Sequence, residues 1–436
     1  MTPAGRLAAA IEVLQQVLER HRPVRTALKA WGDGARYAGS KDRAWVSGLA
    51  LDALRHRRSL AWMMGADGPR AIALGVLRFT WGWPVEQVAE AAAGEPHGPG
   101  VLAPEEAGAL VQPRILQEAP TAVQGDYPDW LEAPLERVFG QARAEEAAAL
   151  ASRAPVDLRV NGLKGEAERV LKLLAPLGAE ASGVMVNALR IAAPAAADRV
   201  APVESLPEFA KGWFEVQDLG SQIAAAAAGQ IKGRQVVDLC AGGGGKTLAL
   251  AAAMANTGQL YAYDTDVRRL SEVVNRGQRA GVRNLQVRSP IDPDPLHGLE
   301  GRMDLVFVDA PCTGSGVWRR HPDAKWRLTL DQLERRRAEQ QAVLALARPL
   351  VKPGGRLVYV TCSLLAEENE DQVKAFLAEP GFAPVSALDV VAASGLATLE
   401  GLEHLAGALT SEGFLRLSPR STASDGFFIA VLERHR

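Results

Sequence analysis

The chain has 436 residues, of which 47% are hydrophobic and 23% are charged. This composition excludes a disordered chain and a disulfide-stapled miniprotein, and the length allows about three domains of roughly 100–200 residues each. No stretch approaches the ~18 consecutive apolar residues of a membrane span, and the first residues lack a signal-peptide core. We therefore expect a cytoplasmic protein that does not enter a membrane.

The three cysteines, Cys240, Cys312 and Cys362, are too widely spaced for a disulfide framework or a zinc site. We expect free thiols in a reducing compartment and no bound metal.

The net charge is −2, but its distribution along the chain is uneven. Residues 1–70 contain twelve basic and six acidic residues. A basic segment of this kind is compatible with RNA contact, although solvated helix faces produce the same pattern. RNA binding therefore needs support from other parts of the sequence.

The first hundred residues are predicted to be helical, because apolar residues such as Leu7, Ile11, Leu14 and Leu18 recur at helical spacing. A glycine- and proline-rich stretch at 94–100 interrupts this pattern, and a turn signal at 125–129 ends it. We expect an all-helical domain over residues 1–125.

Two further domains are predicted after this boundary. Residues 126–207 mix helices with short strands, one of them at 158–160, and end in a proline-bearing link from Pro202 to Pro207. We expect a small α+β domain there. Over residues 208–436, short apolar runs alternate with helical stretches, which predicts a parallel α/β sheet of the Rossmann-like type. The apolar runs lie at 236–239, 260–263, 305–308 and 357–360.

A glycine-rich loop, Cys240-Ala-Gly-Gly-Gly-Gly-Lys-Thr247, follows the first of these predicted strands and precedes a helix. Glycines let a ligand approach the backbone, and helix amides suit a nucleotide or a carboxylate. Neither the Walker pattern nor GxGxxG fits, and a tight turn without a ligand is the alternative. Asp264 follows the next strand at a distance suited to ribose hydroxyls. Together these features favour S-adenosylmethionine over NAD or ATP.

Two thiols follow two other predicted strands. Cys312 comes after the 305–308 run, and Cys362 comes after the 357–360 run. If these strands are neighbours, both thiols face one substrate at the sheet edge where ligands bind. Methylation of cytosine at carbon 5 needs such a thiol, because addition to carbon 6 makes carbon 5 nucleophilic. Asp309 is placed to hydrogen-bond the amine or the ring nitrogen of the cytosine.

At this point the sequence resembles the RsmB/NOP family of RNA 5-methylcytosine methyltransferases over nearly its whole length. The resemblance implies a NusB-type helical module in 1–125, a pre-catalytic RNA-contacting domain in 126–207 and a class I methyltransferase domain in 208–436. The motifs that carry it are Cys240–Thr247, Tyr263-Asp264-Thr-Asp266, Asp309-Ala-Pro-Cys-Thr-Gly-Ser-Gly-Val317, Arg319-Arg-His-Pro-Asp323, Lys352-Pro-Gly-Gly355, Thr361-Cys-Ser363, Glu367-Glu-Asn369, Asp425-Gly-Phe-Phe428 and, upstream, Leu158-Arg-Val-Asn-Gly-Leu-Lys164.

The resemblance also implies an activity and a substrate. The expected reaction is methyl transfer from S-adenosylmethionine to carbon 5 of a cytosine in small-subunit ribosomal RNA, by a monomer that binds the base in a single-stranded or opened loop. Lys164, Arg319, Arg320 and the basic face from Lys41 to Arg58 are candidates for phosphate contacts.

Residue roles follow from the same resemblance. Cys362 would be the nucleophile and Cys312 would assist product release, a choice that spacing alone leaves open, because DNA cytosine-5 methyltransferases use the Pro-Cys thiol. Lys246 and Asp309 would lie near the target base. The cofactor shell would consist of Cys240, Ala241, Gly242, Gly243, Gly244, Gly245, Lys246, Asp264 and Asp309, with Cys240 serving mainly as loop packing.

Two departures from the family pattern stand out. Gly243 and Gly244 replace the usual alanine and proline, which makes the loop more flexible. The third cofactor acid lacks its usual Gly-Asp turn, so Asp292 is the candidate, and a backbone amide contact to adenine is the alternative. Two other function classes stay open: a non-catalytic RNA-binding assembly factor with a vestigial methyltransferase domain, and a DNA cytosine methyltransferase.

Overall fold

A computed structural model describes residues 1–196, 198 and 203–436. Two compact units are present. The first comprises Met1–Arg153, Ala193–Val200 and Trp318–Leu328, and the second comprises Ala154–Ala192, Ala201–Val317 and Thr329–Arg436.

The helices and strands are numbered in chain order. Up to residue 153 the regular elements are the helices α1 (Pro3–Leu18), α2 (Val24–Gly34), α3 (Ser40–Arg55), α4 (Arg57–Met64), α5 (Pro69–Gly75), α6 (Val85–Ala93), α7 (Pro104–Val111), α8 (Thr121–Gln124), α9 (Glu132–Phe139) and α10 (Arg143–Ala149). The next elements are β1 (Val156–Val160), α11 (Ala167–Leu174), β2 (Ala179–Ala181), β3 (Ala188–Ile191), α12 (Pro207–Ala210) and β4 (Phe214–Val216).

The remaining elements are α13 (Leu219–Ala226), β5 (Gln235–Asp238), α14 (Gly245–Ala253), β6 (Gln259–Tyr263), α15 (Val267–Ala280), β7 (Leu285–Arg288), β8 (Met303–Asp309), α16 (Pro322–Arg327), α17 (Leu330–Ala347), β9 (Val351–Thr361), α18 (Glu370–Leu377), β10 (Phe382–Val385), α19 (Ala387–Ser394), α20 (Leu399–Ala406), β11 (Leu415–Leu417), α21 (Pro419–Thr422) and β12 (Phe427–Arg434).

The first unit is helical, and its core is built from the apolar stripes of its helices. The predicted stripe of α1 buries Leu7, Ile11 and Leu14 against apolar residues of α3 and α5. Within this core a charged group is also buried. Asp52 is 1% exposed and accepts hydrogen bonds from Arg55, Arg153 and the indole nitrogen of Trp81.

The second unit contains a small antiparallel sheet and a large mixed sheet. The small sheet has the order β2-β3-β1-β4, with α11 between β1 and β2 in the chain. This is the α+β arrangement predicted for the middle region, and the strand predicted at 158–160 is part of β1.

The large sheet has the order β10-β12-β9-β8-β5-β6-β7, with β11 paired to β12. The pairs among β7, β6, β5, β8 and β9 are parallel, and β12 is antiparallel to β9. This is the predicted Rossmann-like sheet. Chain order reverses between β5 and β8, so the carboxyl ends of these strands form the crevice in which such sheets bind ligands.

Side chains of the central strands alternate between the two faces of the large sheet. On β8, Leu305 and Phe307 join one apolar cluster, while Val306 and Val308 join another. A strand buried on both faces is what a parallel sheet covered by helices requires. Because both faces are packed, the ends of these strands are fixed, and with them the loops that follow.

The fold class predicted from the sequence is confirmed, with a helical N-terminal region, a small middle domain and a Rossmann-like C-terminal sheet. The domain boundaries at residues 125 and 207 stay a prediction. Pro202, where the predicted link begins, lies outside the described residues. Among the described helices, none combines the length and the apolar composition that a membrane span requires.

The buried charge cluster of the helical unit yields a stability prediction. We expect Asp52→Ala to lower the free energy of unfolding by about 3 kcal/mol, because it leaves buried Arg55 without its carboxylate partner. Asp129 pairs with Arg58 but is 80% exposed, so Asp129→Ala should cost less than about 1 kcal/mol. Urea unfolding followed by tryptophan fluorescence measures both. Equal small losses in the two variants would show that the Asp52 cluster contributes no net stability.

Candidate active site

The glycine loop connects β5 to α14 in a conformation that its glycines permit. Gly242 and Gly244 have φ values of +53° and +88°, which residues with a Cβ rarely adopt. The loop directs the amino end of α14, which begins at Gly245, toward the carboxyl edge of the sheet. A Cβ added to Gly245 would meet no atom within 4 Å, so there is open space beside this residue.

Asp264 joins this loop to the end of β6. Its side chain is 9% exposed, and its carboxylate accepts hydrogen bonds from the amides of Gly242 and Asp266, each at 2.8 Å. The amide of Ala241 also donates to the carbonyl of Tyr263 at 3.0 Å. The predicted pairing of the glycine loop with the acid after the second strand is therefore present in the fold.

Two side chains hold the loop from its other side. Arg276 of α15 donates to the carbonyl oxygen of Gly243 at 2.5 Å and forms an ion pair with Glu215 of β4 at 2.9 Å. Gln217, just after β4, donates to the carbonyl oxygen of Gly245 at 3.4 Å. These bonds connect the small sheet to the glycine loop and limit the freedom of its four consecutive glycines.

The two thiols predicted to face one substrate lie side by side. Strands β8 and β9 are parallel neighbours, with Asp309 opposite Val360. The Sγ atoms of Cys312 and Cys362, which follow these strands, are 3.3 Å apart. Both side chains are partly exposed.

The environment of the pair changes the pKa of Cys312. The hydrogen bond with Cys362, together with burial, raises the pKa of Cys312 well above its usual value, so Cys312 stays protonated at neutral pH.

The backbone around Cys362 is closely packed against a neighbouring loop. Its carbonyl oxygen accepts a hydrogen bond from the amide of Gly316 at 2.9 Å, and the carbonyl of Gly316 accepts one from Gly426 at 2.8 Å. A Cβ at Gly316 would lie 2.1 Å from the carbonyl oxygen of Gly426. Only glycine fits at this position, because the three backbones approach one another so closely.

Lys246 and Asp309 form an ion pair next to the thiols. The Lys246 Nζ lies 2.7 Å from Asp309 Oδ2 and 5.1 Å from the centre of the Phe427 ring. Burial lowers the pKa of Lys246, but the charge of Asp309 and its hydrogen bond outweigh that effect and raise it overall. Lys246 is therefore a charged donor at neutral pH. The Asp309 side chain is 31% exposed.

Two buried acids that the sequence analysis gave no role lie beside these groups. Asp238, at the end of β5, accepts a hydrogen bond from the hydroxyl of Thr247 at 2.7 Å, and burial raises its pKa to about 7. Glu368 accepts hydrogen bonds from Thr313 and Ser363, the residues that directly follow the two thiols. Their signals were present in the sequence: Asp238 directly precedes the glycine loop, and Glu368 belongs to the Glu367-Glu-Asn369 motif.

Cys240 differs from the other two cysteines. Burial and the charges of Asp238, Asp309 and Asp264 raise its pKa well above its usual value. A thiol that stays protonated in this way is a weak nucleophile. The packing role of Cys240 in the loop stays a prediction.

Other predicted residues stand apart from this cluster. Asp292 lies on the loop after β7 with an exposed side chain, and no hydrogen bond within the described residues joins its carboxylate to the glycine loop. The ammonium of Lys164 donates to the carbonyls of Arg279 and Lys211, at 2.6 and 3.2 Å, where it caps the end of α15. Arg319 is buried within the helical unit. Lys164 is exposed and Arg319 is buried, and a phosphate contact by either side chain stays a prediction.

Comparison with known proteins places these features in a family. Residues 229–433 match the family model described as 16S rRNA methyltransferase RsmB/F, and residues 127–198 match a ferredoxin-like domain described as RsmF/B-like. The ribosomal RNA small subunit methyltransferase B of Klebsiella pneumoniae is 31% identical over 455 residues, covering 98% of this chain and 97% of that protein.

Solved structures share the fold. The crystal structure of PH0851 superposes with a TM-score of 0.69 at 24% identity, covering 100% of this chain and 99% of that one. A methyltransferase homologue from Pyrococcus horikoshii superposes with a TM-score of 0.58 at 26% identity, covering 72% of this chain and 97% of that one. The family resemblance drawn from the motifs is confirmed. The chain belongs to the RsmB/F family of small-subunit ribosomal RNA methyltransferases.

Proposed function

We propose that this chain transfers a methyl group from S-adenosylmethionine to carbon 5 of a cytosine in small-subunit ribosomal RNA through a covalent enzyme–base adduct. The observation that carries the proposal is the pair of thiols 3.3 Å apart at the carboxyl ends of two adjacent parallel strands. Methylation at an oxygen or an exocyclic nitrogen needs no thiol, whereas carbon 5 of a pyrimidine needs one.

The residues around the glycine loop fit S-adenosylmethionine. The open space beside Gly245 admits a ligand near the amino end of α14, whose amides favour a carboxylate. Within the part of the chain that the structure describes, Asp264 accepts one hydrogen bond at each carboxylate oxygen, so each oxygen can accept another from a ribose hydroxyl. When bound, the cofactor supplies an electrophilic methyl group on its sulfonium.

The thiol of Cys362 would start the reaction. Its thiolate adds to carbon 6 of the cytosine, which moves the electron pair of the 5,6 double bond to carbon 5. Carbon 5 then takes the methyl group, a base removes the carbon 5 proton, and the bond between sulfur and carbon 6 breaks to restore the aromatic ring. The thiolate is regenerated, so no group is left on the enzyme.

Asp309 and Lys246 would hold the base during these steps. One carboxylate oxygen of Asp309 accepts from Lys246, and within the described residues no hydrogen bond occupies Oδ1. Oδ1 can therefore accept a hydrogen bond from the exocyclic amine of cytosine. Uracil lacks that amine, so this contact favours cytosine.

Cys312 would assist the last step. Its pKa is raised, so it carries a proton, and its sulfur lies within hydrogen-bond distance of Cys362. As the adduct breaks, the thiol of Cys312 can donate a hydrogen bond to the departing thiolate. This stabilises the leaving group and accounts for a role in product release.

The cysteine variants test the reaction directly. Cys362→Ser should lower methyl transfer to unmodified small-subunit ribosomal RNA by on the order of 1,000-fold or more, because serine is a far weaker nucleophile toward carbon 6. Cys312→Ala should accumulate a slowly migrating protein–RNA adduct on a denaturing gel. Adding Cys362→Ser to this variant should abolish the adduct.

Digestion of the methylated RNA to nucleosides identifies the modified atom. The proposal requires 5-methylcytidine in the wild-type product. Wild-type protein that binds this RNA and transfers no methyl group would instead favour the non-catalytic assembly factor. Undiminished 5-methylcytidine formation by Cys362→Ser would assign the attack to another group.

The cofactor residues have their own test. We expect Asp264→Asn to weaken S-adenosylmethionine binding by about 10-fold or more, because the ribose loses a charged acceptor and Gly242 loses its carboxylate partner. Isothermal titration calorimetry measures the dissociation constant without RNA. Asp292→Asn is measured alongside, since we propose Asp292 as the third acid of the cofactor shell. An unchanged dissociation constant in Asp292→Asn would remove that residue from the site and favour a backbone amide.

A further inference from the structure

Glu368 occupies a buried position between the two loops that carry the thiols. It lies between β9 and α18 and is 0% exposed. Both of its carboxylate oxygens accept hydrogen bonds. Oε1 accepts from the amide of Thr313 at 2.8 Å and from the side-chain amide of Gln340 at 3.0 Å. Oε2 accepts from the hydroxyl of Thr313 at 2.5 Å and from the hydroxyl of Ser363.

The identity of these donors is the decisive feature. Thr313 directly follows Cys312, and Ser363 directly follows Cys362. One carboxylate therefore binds the residue after each thiol and connects the loop of β8 to the loop of β9. The pairing of β8 with β9 ends at Asp309 and Val360. Beyond these residues the two loops are joined by the backbone hydrogen bond from Gly316 to the carbonyl of Cys362 and by side-chain bonds such as those of Glu368.

The hydrogen bonds match the capacity of an ionised carboxylate. Such a group offers about four lone-pair sites, and four donors point at it here. Burial raises the pKa of Glu368 overall, and the hydrogen bonds from Ser363, Thr313 and Gln340 offset only part of that rise. Gln340 of α17 also donates to the carbonyl of Pro311 at 2.9 Å, which ties the same cluster to the residue before Cys312.

We propose that Glu368 is a positioning residue that holds the Cys312 and Cys362 sulfurs at a working separation by bridging Thr313 and Ser363. This inference rests on the proposed function, because that separation matters for addition to carbon 6 and for release of the adduct. A misplacement of about 1 Å in a reacting group can cost about 100-fold in rate. Glu368 is fully buried and bonded to both loops, so its effect would pass through them.

The test uses Glu368→Gln in the full chain, because glutamine keeps the size of the side chain and removes its charge. Phenylarsine oxide probes the thiol spacing independently of catalysis, since its arsenic bonds two neighbouring sulfurs and releases one water. We expect its affinity to fall by at least 10-fold in Glu368→Gln. We also expect kcat to fall about 100-fold while KM for RNA and for S-adenosylmethionine stays within twofold.

Controls separate positioning from folding. Glu379→Gln alters an exposed acid that pairs with Arg348 and should leave every readout unchanged. Thermal unfolding shows whether Glu368→Gln is folded. If Glu368→Gln is not folded, Thr313→Val takes its place in the test. This variant removes one hydroxyl donor to Glu368, so it should lower both the arsenical affinity and kcat, each by a smaller factor.

Specific outcomes overturn the proposal. Folded Glu368→Gln, or Thr313→Val in its place, with wild-type arsenical affinity would show that the bridge does not set the thiol spacing. A fall in kcat with wild-type arsenical affinity would also overturn it. Failure of the proposed function is distinguishable, because a wild-type chain that forms no 5-methylcytidine still reports through phenylarsine oxide.

Discussion

The parallel pairing of β8 with β9 is the constraint on which the rest of the site depends. Asp309 stands opposite Val360 in this pair, so the two strands end at the same edge of the sheet. The chain that leaves each end carries a cysteine within three residues. A register shift of one residue would also turn the strand side chains to the opposite face. The apolar clusters on both faces therefore fix the register that brings two distant cysteines together.

The charges around the glycine loop explain why its three nearby thiols differ. Burial and the charges of Asp238, Asp309 and Asp264 raise the pKa of Cys240, and the charge of Arg269 opposes that rise only in part. Next to Cys312 and Cys362, Lys246 forms an ion pair with Asp309. Lys246 also lies close enough to Cys362 for their charges to interact. A thiolate at Cys362 therefore has a cation nearby, whereas Cys240 interacts with three carboxylates and one guanidinium. At this edge of the sheet, Cys240 therefore lies in a mostly acidic environment, whereas Cys362 has a cation near it.

Local sequence patterns predicted the elements and the main chemical groups but not their buried connections. Strand runs such as 305–308 and 357–360 are visible in sequence because both faces of a parallel strand are apolar. The motifs that follow these runs predicted which loops contain the reactive side chains. The bridge made by Glu368 was not predictable, because it depends on donors 5, 28 and 55 residues away in sequence. The bond from Lys164 to the end of α15 was not predictable for a similar reason, since only the fold brings that helix end beside it.

The two halves of the site have separate supports, which follows from the positions of their partners. The glycine loop is held by Arg276, Glu215 and Gln217, so its conformation depends on the small sheet through β4. The thiol loops are held by Glu368 and by the close approach at Gly316. Four consecutive glycines lose much conformational entropy on becoming ordered, and external bonds must offset that cost. The small sheet therefore contributes to the order of the cofactor loop, whereas the spacing of the thiols is set within the large sheet and the loops at its edge.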